Sequence, residues 1–279
     1  MKRTLNGGAL LAVSLMGLAA FLLPTLEGVP STRAEYSLLL AAAVVAAAAV
    51  LLALALWTHR LSTRLLAVLA ALAAIDAALR LAVVTGIGGF SPVFFLILAG
   101  GFALGPSFGF ALGALTLLLS AGLTAGVGPW LPYQMLAAGW VGMGAGLAGR
   151  PFSGRPPTPL ALGVLAAFGF AAGFAYGVLL DIWEWPFLLG GGGSSFSWAP
   201  GLPFPVLLQR FATFYVATSA VYDAFRAAGN GALVLLLGGP AVAALVRFRR
   251  RFLVVWEPAA GKIADDAGGA GPAQSPIPA

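Results

Sequence analysis

The residues best suited to bind a small solute lie in a segment broken by glycine and proline at positions 126–135. This segment reads Gly-Val-Gly-Pro-Trp-Leu-Pro-Tyr-Gln-Met and contains one amide side chain, Gln134, and two aromatic side chains, Trp130 and Tyr133. Aromatic faces stack on planar rings, and an amide both donates and accepts hydrogen bonds. Because apolar sequence flanks the segment on both sides, we expect it at the mouth of a hydrophobic bundle, where a membrane protein holds a solute.

Two pairs of opposite charges interrupt the apolar sequence, and a charge within a membrane is costly. Asp76 and Arg80 are four residues apart, and Asp223 and Arg226 are three apart, so each pair can meet on one helix face and neutralise itself. One interpretation is that both pairs are structural. The other interpretation is that both arginines line one pocket, because they lie near the outer ends of their helices and level with Trp130. Arg80 would there offer the N–H donors of its guanidinium to a carboxylate, phosphate or amide oxygen.

The composition places these residues in an integral membrane protein. Of the 279 residues 60% are hydrophobic and 9% are charged, so most of the surface must face lipid. Several apolar runs approach or exceed the roughly 20 residues that cross a bilayer, which predicts helices rather than the alternating strands of a barrel. The expected fold class is all-α, a polytopic transmembrane helical bundle. The net charge of +6 is explained by membrane topology and not by nucleic-acid binding, because the arginines cluster at helix ends.

The sequence lacks the residues of most catalytic and metal sites. It contains no cysteine and one histidine, His59, which excludes thiolate metal sites, cysteine nucleophiles and histidine clusters. It has no Walker-type phosphate loop, no Ser/His/Asp set and no carboxylates projecting from facing helices. Matched broken helices and a buried carboxylate relay, which an ion-coupled carrier needs, are also missing from the pattern. We expect a binding unit that is not an enzyme and uses no cofactor, metal or motor of its own.

Eight apolar runs are the candidate helices. They cover residues 8–26, 36–57, 65–85, 92–105, 107–126, 132–149, 160–181 and 206–246. The first run resembles a signal peptide, but no convincing cleavage site follows it, so we expect a retained helix. The fourth and fifth runs predict a tight hairpin at Gly105-Pro106-Ser107. After Pro258 the tail is rich in Gly, Ala and Pro and is expected to be disordered in the cytoplasm.

Positive charge decides how the last apolar run crosses the membrane. With the N-terminus inside, the basic residues near 2–3, 59–64, 150–155 and 247–251 all lie on the cytoplasmic side, in agreement with the positive-inside rule. This arrangement requires residues 206–246 to cross only once. We therefore expect 206–225 to lie in or dip into the outer leaflet before a span at 226–246; the alternative is one long tilted helix.

The outer side of the membrane is predicted to carry a long loop at 183–205. This segment starts with Trp183, Glu184 and Trp185 and continues through a run of glycines and several prolines. That composition is typical of a gate or lid. An ordinary interfacial loop with belt tryptophans is the alternative.

Small residues mark two of the predicted helices. Ala67, Ala71, Ala74 and Ala78 recur along 65–85, and glycines recur at 142, 144, 146 and 149 along 132–149. Such residues allow another helix to approach closely. Tight internal packing is one explanation of both patterns, and a surface for a partner helix is the other.

The order of these features resembles that of the substrate-binding S components of energy-coupling factor (ECF) vitamin transporters, over about residues 65–252. The matching features are Arg80, Pro92 before a hairpin with Gly100, Gly101 and Gly105, the Gly-Pro-Trp-Leu-Pro-Tyr-Gln-Met run at 128–135, a glycine-rich helix ending at Gly149-Arg150, and Arg226-Ala227-Ala228-Gly229-Asn230 before a terminal Arg-Phe-Arg-Arg-Arg. The resemblance implies a six-helix core at 65–252, preceded by a pair of transmembrane helices at 1–64 and followed by the tail at 253–279.

The resemblance also implies a mechanism. S components bind a vitamin in an outward pocket and topple in the membrane against a transmembrane coupling subunit driven by two ATPases. The substrate-binding residues are then Arg80, Trp130, Tyr133, Gln134, Trp183, Trp185, Arg226 and Asn230. Docking on the coupling subunit falls to Ala67, Ala71, Ala74 and Ala78, a face that the two added N-terminal helices could shield.

The expected setting is a bacterial cytoplasmic membrane with both termini in the cytoplasm, and the expected partners are a vitamin, membrane lipid and the ECF subunits, with no nucleic acid. Cobalamin or a related corrinoid is the first expected substrate, and thiamine or another heterocyclic vitamin is the next. A structural or assembly membrane protein and an autonomous secondary carrier are the alternative functions.

Overall fold

The computed structural model describes residues 2–27, 63–82, 92–188 and 195–252, and the regular structure within them is helical. Eight α-helices occur there: α1 Lys2–Glu27, α2 Thr63–Ala82, α3 Val93–Leu104, α4 Pro106–Thr124, α5 Leu131–Ala148, α6 Pro159–Leu188, α7 Phe204–Thr218 and α8 Ala220–Phe252. The predicted all-α class is confirmed for this part of the chain. The predicted helix at 36–57 and the tail at 253–279 lie outside the described residues.

Three of the helices, α4, α6 and α8, are long and apolar enough to cross a membrane. The chain is therefore a helical membrane protein, as the composition predicts. The 30 residues of α6 extend about 45 Å, which exceeds the hydrocarbon thickness of about 30 Å. By the same rise, the 12 residues of α3 extend only about 18 Å.

The short helix α3 lies at the centre of the bundle, in contact with α2, α4, α5, α6 and α8. Its sequence is apolar on every side, and a helix of this kind is stable only when its whole circumference is covered. Gly105, which has φ of 105°, is the single residue that connects the end of α3 to the start of α4. A glycine is needed there because side chains disfavour this backbone conformation. The predicted tight hairpin is confirmed.

Helices α4 and α5 approach each other so closely that their backbones touch. A methyl group on Gly109 would overlap the carbonyl oxygen of Gly142, and a methyl group on Gly142 would overlap that of Gly109. Gly146 faces the backbone of Pro106, and Gly149 faces that of Phe102. For the glycines of α5, internal packing is therefore the correct explanation of the small-residue pattern.

The arginine-rich end of α8 contacts the segment that follows α5. Arg249 donates to the carbonyl oxygen of Ala103 at 3.1 Å and to Oγ of Ser153 at 2.8 Å, and Arg250 donates to the carbonyl oxygen of Gly154 at 2.9 Å. A cation is favourable at the last carbonyls of a helix, here those of α3. The C-terminal end of α8 therefore lies beside the last turn of α3 and the segment after α5.

The last apolar run is divided at Ser219, where α7 ends and α8 begins. The predicted division at 225 is therefore placed about six residues too late, and the alternative of one long helix is wrong. Helix α7 is not among the three candidate spans, and Phe214 is its one buried residue.

The prediction that residues 183–205 form one outer loop is wrong for its first part. Helix α6 continues to Leu188, so Trp183 and Trp185 are helical residues, each only 1% exposed. No glycine occurs between Asp181 and the end of α6 at Leu188, and both indole rings gain apolar contacts in the helical conformation. Residues 189–194 lie outside the described part of the chain.

Helix α1 packs against α5 and α6 and shares their hydrophobic core. The ring of Phe21 is fully buried and lies 5.1 Å from the ring of Tyr133 and 5.6 Å from that of Trp140. Trp140 also donates from Nε1 to Oγ of Ser14 at 3.0 Å. The N-terminal helix thus covers the side of α5 that carries the predicted binding residue Tyr133.

Candidate functional site

A row of glycines on α6 receives the polar side chains of α8. Gly169, Gly173 and Gly177 are four residues apart, so they share one face of α6. The amide of Asn230 donates to the carbonyl oxygen of Gly169 at 3.0 Å, and Arg226 donates to that of Gly173 at 3.3 Å. A methyl group on Gly177 would overlap the carboxylate of Asp223. The glycines therefore allow close approach of α8 to α6: a methyl group on Gly173 would overlap Ala227, and the one on Gly177 would overlap Asp223.

Asp223 and Arg226 form the ion pair that their spacing predicts. The guanidinium of Arg226 donates to Oδ1 of Asp223 and lies 5.3 Å from the centre of the Tyr176 ring. Oδ2 of Asp223 accepts a hydrogen bond of 3.0 Å from the hydroxyl of Tyr215 on α7. The carboxylate is 1% exposed, and breaking a buried pair is strongly destabilising. The site thus joins α6, α7 and α8.

Tyr215 acts as a neutral donor in this site. Burial, together with the negative charge of Asp223 and the hydrogen bond to it, raises the pKa of Tyr215 to about 12. Its hydroxyl group therefore keeps its proton throughout the physiological range. Asp181, one turn from Gly177 on α6, accepts a hydrogen bond from Ser219, so the junction between α7 and α8 is attached to α6 on both sides of Asp223.

The second predicted ion pair does not form. Asp76 is fully buried, and neither of its carboxylate oxygens has a hydrogen-bond partner in the described part of the chain. Arg80 instead acts electrostatically on Tyr176, the same side chain that Arg226 covers. Both predicted arginines therefore act electrostatically on one tyrosine, whereas Asp76 does not pair with Arg80.

The predicted aromatic residues belong to two separate clusters. Trp183 stacks on Tyr133 with ring centres 4.3 Å apart and an interplanar angle of 27°. Trp185 packs instead with Trp198 and Phe214 and donates from Nε1 to the carbonyl oxygen of residue 196 at 2.9 Å. Two residues along a helix turn a side chain by about 200°, so α6 directs the two indoles to opposite sides.

The remaining predicted residues differ in how accessible they are. Trp130 is 40% exposed and donates from Nε1 to the carbonyl oxygen of Gly126 at 3.1 Å. Gln134 is half-buried, whereas Asn230 is 1% exposed and its Oδ1 has no hydrogen-bond partner among the described residues. A shallow groove at the arginine-rich end of the bundle is lined by Phe152, Arg155 and Val246 among others.

The four alanines of the predicted docking stripe, Ala67, Ala71, Ala74 and Ala78, are all exposed. Helix α2 turns its other face, which carries Leu65, Leu69, Ala73, Asp76 and Ala77, into the bundle. Internal packing against the described helices therefore does not explain the stripe.

The sequence interpretation missed Tyr176 and the glycines of α6. The four-residue spacing of those glycines is a signal that sequence alone carries. Tyr176 carries no such signal, because aromatic residues are common in membrane helices. Taken together, the site offers a guanidinium, a tyrosine ring and a buried carboxylate at the end of the bundle opposite the arginine-rich end.

No protein-family model matches the chain, and no curated protein or solved structure is significantly similar to it. The class of protein that the fold defines is a helical membrane protein with a polar junction between α6 and α8.

Proposed function

We propose that the protein is the substrate-capture S component of an ECF-type importer. It binds a vitamin or related micronutrient at the outer end of the bundle and delivers it by toppling against a transmembrane coupling subunit, which two separate ATPases drive. It catalyses no reaction itself. Its setting is a bacterial cytoplasmic membrane, with both termini in the cytoplasm.

One observation carries this proposal most directly, namely the exposed stripe of four alanines on α2. A row of methyl groups allows another helix to approach closely, and association of helices in lipid depends on such contact. The opposite face of α2 packs into the bundle, so the stripe has a fixed orientation. A flat small-residue surface on a firmly held helix suits a partner that must bind and release as the protein topples.

The proposed substrate is cobalamin or a related corrinoid, with thiamine or another heterocyclic vitamin as the next candidate. Arg80 and Trp130 are accessible without disruption of the described packing, since they are partly exposed and 40% exposed, respectively. A guanidinium and an indole suit a ligand with amide or phosphate oxygens and a planar ring. Tyr133, Trp183 and Trp185 take part once the aromatic clusters rearrange around a bound ligand.

The proposal is tested by identifying small molecules that remain bound through gentle purification, using mass spectrometry. The expected result is a stoichiometric vitamin, bound without ATP, together with co-purifying coupling and ATPase subunits in the native host. Arg80→Ala and Trp130→Ala are expected to weaken vitamin binding at least tenfold. Val127→Ala is the matched control, because Val127 lies in the same turn, is 69% exposed and is not assigned to the ligand. A protein that binds none of the vitamins tested contradicts the proposal.

A structural or assembly membrane protein is the second candidate, and the polar junction favours it. Arg226 already contacts Asp223, Gly173 and Tyr176, so it has a structural role without any ligand. In that case no vitamin co-purifies, and Arg226→Ala destabilises the fold while Arg80→Ala and Trp130→Ala have no effect. Tight binding with no coupling or ATPase subunit would instead support an autonomous secondary carrier.

A further inference from the structure

Three polar side chains on the neighbouring helices α2 and α4 are fully buried and have no hydrogen-bond partner among the residues that the structure describes. Asp76 on α2 and Thr116 and Ser120 on α4 are each 0% exposed. Both carboxylate oxygens and both hydroxyl oxygens lack a hydrogen-bond partner within the described ranges. Buried polar groups are almost always paired, and an unpaired one costs more in lipid than in water. Four such oxygens on two neighbouring helices therefore indicate a missing partner.

The packing around Gly100 places Asp76 and Thr116 at one depth, and Ser120 lies one helical turn further along the same face of α4. A methyl group on Gly100 would lie 3.9 Å from Cδ1 of Leu72 on α2 and 2.6 Å from Cδ2 of Leu112 on α4, so both leucines point at the same part of α3. One turn further along each helix, Asp76 follows Leu72 and Thr116 follows Leu112 on the same faces.

Helices α2 and α4 run in the same direction, so the turn of α2 that carries Asp76 and the turn of α4 that carries Thr116 lie at the same depth in the bundle. Arg80 acts on Tyr176, whose ring lies 4.8 Å from that of Phe94 near the start of α3, whereas Leu72 lies beside Gly100 near its end. Helix α2 is therefore antiparallel to α3, and α4 is antiparallel to α3 through the hairpin at Gly105. Asp76 and Thr116 thus both lie about 6 Å above the level of Gly100.

The two hydroxyl groups do not use the partner that helices normally offer. Thr124, Thr213 and Thr218 each donate to the carbonyl oxygen four residues earlier, at 2.8–3.0 Å. Thr116 and Ser120 make no such bond, although the same type of carbonyl lies within each one's reach. Their oxygen atoms therefore remain available to a ligand on the α2 side.

The oxygen atoms of Asp76, Thr116 and Ser120 indicate which kind of ligand would bind there. Carboxylate and hydroxyl oxygens are hard donors, which bind hard cations. Four protein oxygens are fewer than the six to eight that Ca²⁺ takes. A single carboxylate is neutralised by a single positive charge, and Arg80 does not supply that charge. We propose that Asp76, Thr116 and Ser120 form a binding site for a monovalent hard cation such as Na⁺, at the junction of α2, α3 and α4. This site is independent of the proposed vitamin function.

The proposal is tested on the purified full-length protein in detergent by thermal unfolding, followed by tryptophan fluorescence. Replacing 100 mM choline chloride by 100 mM NaCl is expected to raise the Tm of the wild type by at least about 4 °C. Asp76→Asn is expected to abolish the response to Na⁺, and Thr116→Val to shift it to at least tenfold higher Na⁺. Thr124→Val is the matched control on α4, since its hydroxyl is already bonded, and is expected to respond as the wild type does.

A direct measurement on the wild type covers the case in which a variant does not fold. Saturable binding of ²²Na⁺, displaced by unlabelled Na⁺ but not by choline, supports the site. The proposal is overturned if the wild type neither binds ²²Na⁺ nor responds to Na⁺, or if Asp76→Asn keeps the full response. It is also overturned if Tm is insensitive to Na⁺ but rises on acidification in an Asp76-dependent way, because the site then holds a proton.

Discussion

Replacement of Gly177 by alanine tests whether this glycine leaves the room that the Asp223 carboxylate occupies. The added methyl group would occupy the position of the Asp223 carboxylate, so either that carboxylate or the whole of α8 must move. Either movement breaks the contacts that Asp223 makes with Arg226 and Tyr215.

The size of the effect follows from those contacts. Breaking a buried ion pair costs about 3–5 kcal/mol. Alanine recovers up to about 1 kcal/mol through its higher helix propensity. The expected net loss in the free energy of unfolding is therefore about 2–4 kcal/mol, which corresponds to a Tm lowered by about 4–16 °C for a chain of this size.

The assay is thermal unfolding of the purified variants in one detergent, with Gly163→Ala as the control. Gly163 lies on the same helix and has no atom within 4 Å of an added methyl group, so this variant is expected to match or slightly exceed the wild type. The double variant Gly177→Ala/Asp223→Ala is expected to be no less stable than Asp223→Ala alone, because the methyl group then has room. Equal stability of Gly177→Ala and Gly163→Ala, or strictly additive effects in the double variant, would refute the reasoning.

Three further predictions follow from the same packing. Gly109→Ala is expected to lower Tm by about 4 °C or more, because its methyl group would lie 2.5 Å from a carbonyl carbon of α5. Gly122→Ala on the same helix is the control and is expected to be neutral, because a methyl group there has open space. Similar Tm values for the two variants would contradict this prediction. Ala74→Leu is expected to leave vitamin binding intact and to stop vitamin uptake in cells. Ala232→Leu, at another exposed position, is the control and is expected to leave binding and uptake intact. Uptake that persists in Ala74→Leu would argue against the docking stripe. Stability is expected to fall as pH rises from about 10 to about 12, since Tyr215 has a pKa of about 12 when folded and a lower one when unfolded. Absorbance at 295 nm monitors this ionisation, and Tyr215→Phe is expected to reduce the loss; an unchanged profile in that variant would count against the assignment.

Side-chain spacing predicts which charged residues can meet but not which of them do. Asp223 and Arg226 form their pair, while Asp76 and Arg80, with equally suitable spacing, do not. The difference arises from the helices that surround each pair. Helix α2 turns Asp76 fully into the bundle, whereas Arg80 is only half-buried and acts electrostatically on Tyr176, which lies far away in the sequence.

The tryptophans of α6 show a similar limit. Their sequence neighbourhood, with a run of glycines and several prolines, favours a loop, and the helix nevertheless continues past both of them. Trp183 gains a partner from α5, and Trp185 gains partners from α7 and the segment before it. Burial of two indoles against elements distant in sequence outweighs the local preference, which no local pattern could reveal.

The sequence by itself determined the membrane class, the hairpin at Gly105, and the spacing that allows the ion pair between Asp223 and Arg226. These properties depend on composition, on local backbone chemistry and on charge, which are all read along the chain. Only the tertiary structure decided that the glycines of α5 and α6 are packed inside while the alanines of α2 are exposed. The physical reason is that a small residue permits close approach, but whether a helix approaches depends on where the other helices cross.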